Sequence, residues 1–236
     1  MKNPFLLVLP ILLLFSCSSQ INGVLREGGA ADLTISASLE PRMSAIIRSL
    51  NAIMGGSGPE MILDGHSIGR SIAVSPGVQS VAMANTGPAA LEGKIVISKV
   101  EDFLSLANGT PFVTYTENRV NGKSTGRILI SLDRRNAPGL IALLSEEAED
   151  YLTALMAPAV IGEDLTKTEY LGLVASLYGQ AAANEIRTAK IRAAIDFPGP
   201  VTSVRGGTAQ GSRAVFEILL LDILVLETPM SWEAAW

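Results

Sequence analysis

The chain has few of the residues on which catalytic and metal sites usually depend. Among its 236 residues there is one cysteine, Cys17, and one histidine, His66. A single cysteine allows no disulfide within the chain, and a single histidine excludes a metal site built from several imidazoles. Aromatic residues make up only 5% of the chain and charged residues 17%. We therefore expect neither a metal ion nor another cofactor.

Positive charge is scarce as well. The chain has 18 Lys and Arg residues against 23 Asp and Glu residues, which gives a net charge of −5 at pH 7. Proteins that bind nucleic acids neutralise phosphates with Lys and Arg, and their domains are usually basic. The composition therefore predicts no nucleic-acid partner.

The apolar runs are short, although the mean hydropathy is high at +0.35. The run at residues 5–15 has 11 positions and is interrupted by Pro10, whereas a membrane-spanning helix needs about 20. Lys2 precedes this run and the small residue Ser16 follows it. This order is typical of a cleaved secretory signal peptide at residues 1–16.

The end of this segment, Leu14-Phe15-Ser16-Cys17, resembles the bacterial lipobox. The resemblance implies that diacylglycerol is attached to the Cys17 sulfur and that the new amino terminus is also acylated, with palmitate as a typical chain. Two or three acyl chains anchor a protein stably, whereas one chain is marginal. The partner predicted through Cys17 is thus a membrane. An ordinary signal peptide that ends by chance at a cysteine remains the alternative.

The residues after Cys17 predict where the folded body lies. Residues 18–20 would form a tether of about 10 Å at 3.3 to 3.6 Å per residue, so the body would lie close to the lipid headgroups of a bacterial cell envelope. Residue 18 is Ser and not Asp, and by resemblance to lipoproteins of bacteria with two membranes this favours the outer membrane over the inner membrane.

The remaining residues, 21–236, predict one α+β domain with an antiparallel sheet and a helical insert at about 138–189 packed on one face. Predicted strands cover residues 21–27, 32–39, 78–85, 91–98, 112–119, 124–133, 191–197, 201–205, 213–218 and the segment that ends at Trp236. Predicted helices cover residues 42–54 and 65–73, three segments of the insert, and a short helix or buried turn at 218–226. Within the insert, Pro158 is predicted to end the first segment, and Thr166-Lys167-Thr168-Glu169 has the form of a capping box at the start of the second. Asn121-Gly122 is a typical hairpin turn, and we expect 201–205 to pair with 213–218 around Gly206-Gly207.

One segment, Gly65-His66-Ser67-Ile68-Gly69, fits the G-x-S-x-G pattern of serine hydrolases. A serine nucleophile needs an adjacent base, which in those enzymes is a histidine later in the chain. The only histidine here is His66, directly beside Ser67. We therefore interpret residues 65–69 as the start of a helix with Asp64 as its cap, and keep an esterase acting through Ser67 as the alternative.

The helical insert is rich in apolar residues, among them Met156, Leu173 and Leu177. In water this surface must cover the sheet or line a cavity, because large exposed apolar patches are rare in soluble monomers. Trp232 and Trp236 have the spacing of one strand face, which favours core packing over a platform for a ligand.

The C-terminal segments resemble envelope lipoproteins of the LppM-like kind and putative lipoproteins common in spirochaetes. The resemblance rests on the strand at residues 33–39 and on Asp196-Phe197-Pro198-Gly199-Pro200-Val201, Ser203-Val204, Gly206-Gly207 and Phe216-Glu217-Ile218. It implies a lipid-anchored α+β domain that contacts envelope lipids or glycolipids, with no catalytic residues. The predicted function is a non-enzymatic module that binds a lipid-like ligand or an envelope protein; a structural spacer is a further alternative.

Overall fold

The structure is a computed structural model that describes residues 18–53, 62–104, 113–120, 123–137 and 157–236. Within these ranges the chain has the predicted α+β class, with helices packed against antiparallel strands. The signal peptide, Cys17 and the first helical segment of the insert lie outside the described residues.

The strands occur in two sheets, where the sequence had predicted one. The seven-stranded sheet has the order β3-β4-β2-β1-β7-β10-β9 and the four-stranded sheet the order β5-β6-β11-β8. The strands are β1 (Ser18–Leu25), β2 (Ala31–Ser38), β3 (Val78–Gly87), β4 (Ala90–Ile97), β5 (Val113–Val120), β6 (Lys123–Leu132), β7 (Lys190–Asp196), β8 (Ser203–Arg205), β9 (Gly207–Gln210), β10 (Arg213–Leu219) and β11 (Met230–Ala235).

Five helices of the described ranges begin and end close to their predicted positions, whereas the short helices Val100–Leu104 and Pro158–Ile161 were not predicted. They are α1 (Pro41–Ile53), α2 (Gly65–Ala73), α3 (Val100–Leu104), α4 (Pro158–Ile161), α5 (Lys167–Tyr178), α6 (Gln180–Thr188) and α7 (Leu220–Val225). The predicted capping box of α5 is confirmed, with Thr166 and Glu169 bonded reciprocally. Pro158 opens α4, since proline is tolerated in the first turn, where no backbone donor is needed; the helix that it was predicted to end lies outside the described residues.

The first strand begins earlier than expected. Ser18, Ser19 and Gln20 were predicted to form a tether, but they are the first residues of β1 and pair with β2 on one side and with β7 on the other. The β1–β7 pair is parallel, whereas the other pairs of the large sheet are antiparallel. No separate tether therefore joins residue 17 to the sheet.

The large sheet has one buried face and one polar face. Ile35 and Ile191 are fully buried, whereas Thr34 and Glu217 on the opposite face are exposed. This follows from the period-two alternation of strand side chains. The buried face therefore needs a cover, which helices supply at one end and the small sheet at the other.

Contacts between helices that are far apart in the sequence hold the helical cover together. Helix α6 packs against α1, α5 and α7. Its Glu185 carboxylate accepts hydrogen bonds from the backbone N–H groups of Arg42 at 3.2 Å and Met43 at 2.9 Å. These are first-turn donors of α1, which have no partner within their own helix. The insert is thus fixed to the N-terminal helix by a carboxylate at a helix start.

The predicted pairing of residues 201–205 with 213–218 is wrong. Gly206, with a φ of +72°, separates β8 from β9. Strand β8 pairs with β11 in the small sheet, and β9 pairs with β10 in the large one. A left-handed residue turns the chain sharply at little cost when it is glycine. The chain therefore passes from one sheet to the other at this point.

No helix in the described ranges is long and apolar enough to cross a membrane.

Candidate ligand-binding cavity

An apolar cavity of about 230 Å³ lies between the two sheets. From the large sheet and the residue after β7 it is lined by Ile21, Val24, Leu25, Ala31, Leu33, Ile97, Ile191, Ala193, Ile195, Phe197, Phe216 and Ile218. From the small sheet it is lined by Val113, Tyr115, Ile128, Ile130, Leu132 and Trp232, and from α3 and α7 by Val100, Phe103 and Ile223. The hydroxyl of Tyr115 and the indole nitrogen of Trp232 are the only polar side-chain groups on these residues.

Side chains from both sheets line this cavity. In the large sheet Ala193 lies between Ile21 of β1 and Phe216 of β10. In the small sheet Ile130 lies between Val113 of β5 and Trp232 of β11. In this row of the large sheet the short side chain of Ala193 thus stands between two large ones, and all three residues line the cavity.

The cavity is large for a protein interior. Interiors are close-packed, and voids larger than a water molecule are few. An apolar cavity of 150 Å³ holds one benzene ring and stays dry when it is empty. By proportion, 230 Å³ has room for about nine carbon atoms. A single hydrocarbon chain of medium length fits this space, and a complete two-chain lipid does not.

Tyr115 forms the boundary between the cavity and a polar region. Its ring lines the cavity, and its hydroxyl donates a hydrogen bond of 2.8 Å to Oε2 of Glu117. Oε1 of Glu117 accepts from Oγ of Ser124 at 2.6 Å and from the backbone N–H of Gly28 at 3.1 Å. Nε1 of Trp236 donates to Oγ of Ser124 at 3.4 Å. These contacts join the β1–β2 turn to the β5–β6 hairpin.

The charge states of this network follow from its contacts. Burial and the Glu117 hydrogen bond both raise the pKa of Tyr115, so its phenol stays protonated and remains a donor. Burial by itself would raise the pKa of Glu117, but hydrogen bonds from Ser124, Tyr115 and Gly28 outweigh it and lower the pKa. Glu117 is therefore ionised at neutral pH.

A polar hollow of about 490 Å³ lies on the other side of Tyr115. It is lined by Glu27, Gly28, Gly29, Lys99, Glu101, Tyr115, Thr116, Glu117, Asn118, Arg119 and Ser124. Arg119 forms an ion pair of 3.2 Å with Glu27, and Lys99 lies 3.9 Å from Glu101 and 3.7 Å from Asp102. The hollow and the cavity share Tyr115, so an apolar compartment adjoins a charged one.

No protein-family model matches the chain, and no curated protein matches it. Among solved structures, the chain is similar to the folded domain of LppM from Mycobacterium tuberculosis. The two have 11% identical residues and a TM-score of 0.38, over 92% of this chain and 87% of that one. What this chain binds is therefore inferred from its own geometry.

The G-x-S-x-G segment forms helix α2, as predicted, and none of its residues lines the cavity. The Asp64 side chain caps this helix by accepting from the backbone N–H groups of His66 and Ser67. The Ser67 side chain is exposed. An added Cβ at Gly65 or Gly69 would lie 3.2 to 3.3 Å from β3 atoms. Both glycines are thus explained by the close packing of α2 on β3.

The described helices of the insert cover the large sheet and do not line this cavity. Tyr170 and Val174 of α5 are fully buried, whereas Leu173 is half-buried and Leu177 is 53% exposed. The expected contribution of Met156 lies outside the described residues. Trp232 and Trp236 are buried as predicted, and Trp236 stacks on Phe197 with ring centroids 4.8 Å apart. Trp232 is in addition a wall residue of the cavity.

The sequence did not single out the cavity walls or the Tyr115 network. The signal that was present is the alternation of apolar residues in β5 and β6, which predicts an inner face for the hairpin. What that face meets depends on pairing between distant segments, which local periodicity does not encode. In the part of the chain described here, no group of three or more His, Cys, Asp or Glu side chains is placed to hold a metal ion.

Proposed function

We propose that this protein is a membrane-anchored envelope lipoprotein that binds, without chemical conversion, the hydrocarbon chain of an amphiphile between its two sheets. The observation that carries the proposal is the 230 Å³ cavity with apolar walls. An unfilled apolar space of this size costs stability, since large voids in cores are destabilising. A bound hydrocarbon chain would recover that loss, at about 0.8 kcal/mol for each methylene group buried.

The walls of the cavity favour binding over catalysis. Among the described residues that line it there is no Ser, Thr, Cys, His, Asp, Glu, Lys or Arg. Acyl transfer requires a nucleophile, a base and donors for the oxyanion near the scissile bond. On the described walls a chain inside this cavity would meet none of these side chains, which supports a carrier or sensor of lipid-like molecules.

The membrane anchor in this proposal rests on the sequence alone. The lipobox-like residues 14–17 support acylation of Cys17, which would place the binding module in the cell envelope. The proposal also includes an outer-membrane position, for which the support is that residue 18 is Ser and not Asp.

The test is a titration of the chain 18–236 with n-alcohols of six to twelve carbons. Trp232 in the cavity wall gives a fluorescence signal for occupancy. We expect saturable binding whose affinity rises with chain length to about nine carbons and then levels, because longer chains exceed the cavity.

A variant whose cavity is partly filled shows whether the alcohols bind in the cavity. Ala193→Phe adds a ring to the centre of the wall and should displace at least two methylene groups of the ligand. This loss is about 1.6 kcal/mol, or more than tenfold in Kd. Ala82→Phe adds the same ring at an exposed position of β3 and is the control. Equal affinity for all chain lengths and for both variants would rule the cavity out as the binding site.

A further inference from the structure

The polar hollow beside Tyr115 is the place where the head group of such a ligand would lie. The hollow and the cavity have Tyr115 as a common wall residue. A chain that fills the cavity and leaves it at this wall carries its polar end into the hollow. This step rests on the proposed function, because without a chain in the cavity the hollow is only a surface depression.

The charge of the hollow determines which head groups it accepts. Its lining holds three carboxylates, those of Glu27, Glu101 and Glu117, against two cations, Lys99 and Arg119. Both cations already contact carboxylates, as Arg119 pairs with Glu27 and Lys99 lies near Glu101 and Asp102. An anionic head group would have to compete with these ion pairs and would lie among like charges.

The carboxylate closest to the cavity is also the most firmly held. Glu117 accepts hydrogen bonds from Tyr115, Ser124 and Gly28, so its negative charge is fixed at the boundary. Thr116 and Asn118 add hydroxyl and amide groups to the same lining, and both residues are exposed. The hollow thus offers acceptors to a hydroxyl-bearing or positively charged group.

We infer that the ligand is a single-chain amphiphile whose head group carries no net negative charge and is held in the hollow next to Tyr115. Hydroxyl-rich and cationic head groups fit this lining, and phosphate or sulfate monoesters do not. The cavity selects the chain by length, and the hollow selects the head group by charge.

The test compares three decyl amphiphiles with the same chain and different head groups. They are decyltrimethylammonium, decyl maltoside and decyl sulfate, each below the concentration of micelle formation and with the circular dichroism spectrum unchanged. We expect the first two to bind the chain 18–236 about tenfold more tightly than decyl sulfate, which is close to the scale of one unfavourable unit-charge contact at about 4 Å in bulk water.

Two charge-reversal variants test whether the hollow causes the discrimination against decyl sulfate. Glu101→Lys leaves two carboxylates and three cations in the lining and should remove or reverse the discrimination against decyl sulfate. Glu163→Lys changes the net charge of the protein equally at an exposed residue outside the lining and should leave it unchanged. Equal effects of the two variants would show that net charge alone sets the preference and would overturn the head-group site.

The outcomes for the cavity and for the hollow are separable. If all three amphiphiles bind equally and Ala193→Phe blocks all of them, the cavity proposal stands and the head-group inference fails. If none binds saturably, the proposed function itself fails.

Discussion

At Glu117, donors from three parts of the chain meet on one carboxylate. The N–H of Gly28 comes from the β1–β2 turn, the hydroxyl of Tyr115 from β5, and that of Ser124 from β6. Charge-assisted hydrogen bonds of this kind are stronger than neutral ones. A single side chain therefore holds a corner of the large sheet against the small sheet, beside Tyr115 in the cavity wall.

The protonation of Glu117 predicts a pH dependence of stability. Its pKa in the folded state is lowered from the usual 4.5, so its hydrogen bonds favour the ionised form. The resulting stabilisation is complete above pH 4.5 and is lost as the pH falls through the lower folded-state pKa. We expect Glu117→Gln to lower the Tm at pH 7 and to lower it less at pH 3, as measured by thermal unfolding.

The control for this measurement is Glu163→Gln, an exposed carboxylate outside the hollow. It removes the same charge without removing the three hydrogen bonds. A Tm difference between the wild type and Glu117→Gln that is the same at both pH values would contradict the role given to the ionised carboxylate.

At the scale of single elements, Gly126 is the residue of β6 that pairs with Trp236, through two backbone hydrogen bonds of 2.9 Å. A Cβ at Gly126 would collide with the Trp236 ring and would lie 2.7 Å from the carbonyl oxygen of Thr116. We expect Gly126→Ala to lower the free energy of unfolding by about 1 to 3 kcal/mol, the usual cost of overpacking. Denaturant unfolding measures this change.

A second glycine gives the matched comparison. Gly172 is exposed within α5, and a Cβ there would have no atom within 4 Å. Gly172→Ala should raise the free energy of unfolding by about 0.5 to 1 kcal/mol, because alanine is the better helix former. Similar effects of the two substitutions would mean that the Trp236 contact does not constrain β6.

The elements show which parts of the fold local sequence can predict. Helix α2 and its cap Asp64, the Thr166 capping box and the β5–β6 pair all follow from short-range patterns, and the structure confirms them. The parallel β1–β7 pair joins residues more than 160 positions apart. Register between such distant strands depends on packing of the whole chain, so the second sheet was not predicted.

The candidate site was out of reach of the sequence for the same reason. Its hollow combines the β1–β2 turn, the start of α3 and the β5–β6 hairpin. Glu27, Lys99 and Glu117 are unremarkable charged residues in the sequence and acquire a common role only in the folded chain. In the sequence the solitary Cys17 and the G-x-S-x-G motif stand out instead, because a motif is defined by neighbouring residues.

At the scale of the whole molecule, the lipid anchor is predicted from the sequence, and Cys17 lies outside the described residues. Cys17→Ala should abolish the incorporation of labelled palmitate and release the protein from the membrane fraction, since two or three acyl chains supply stable anchoring. Metabolic labelling followed by membrane fractionation measures both effects. Unchanged labelling of this variant would remove the lipid anchor from the proposal.

The start of β1 at Ser18 has a consequence for delivery. If Cys17 carries the anchor, no linker intervenes, and the eight residues of β1 lead away from it for about 26 Å at roughly 3.3 Å per residue before the turn at the hollow is reached. If β1 also points away from the anchoring bilayer, the head group of a bound amphiphile would lie at the end of the sheet remote from that bilayer. A protein so mounted would exchange its cargo outward, with a partner or a surface across the aqueous space, and not with the leaflet that holds it.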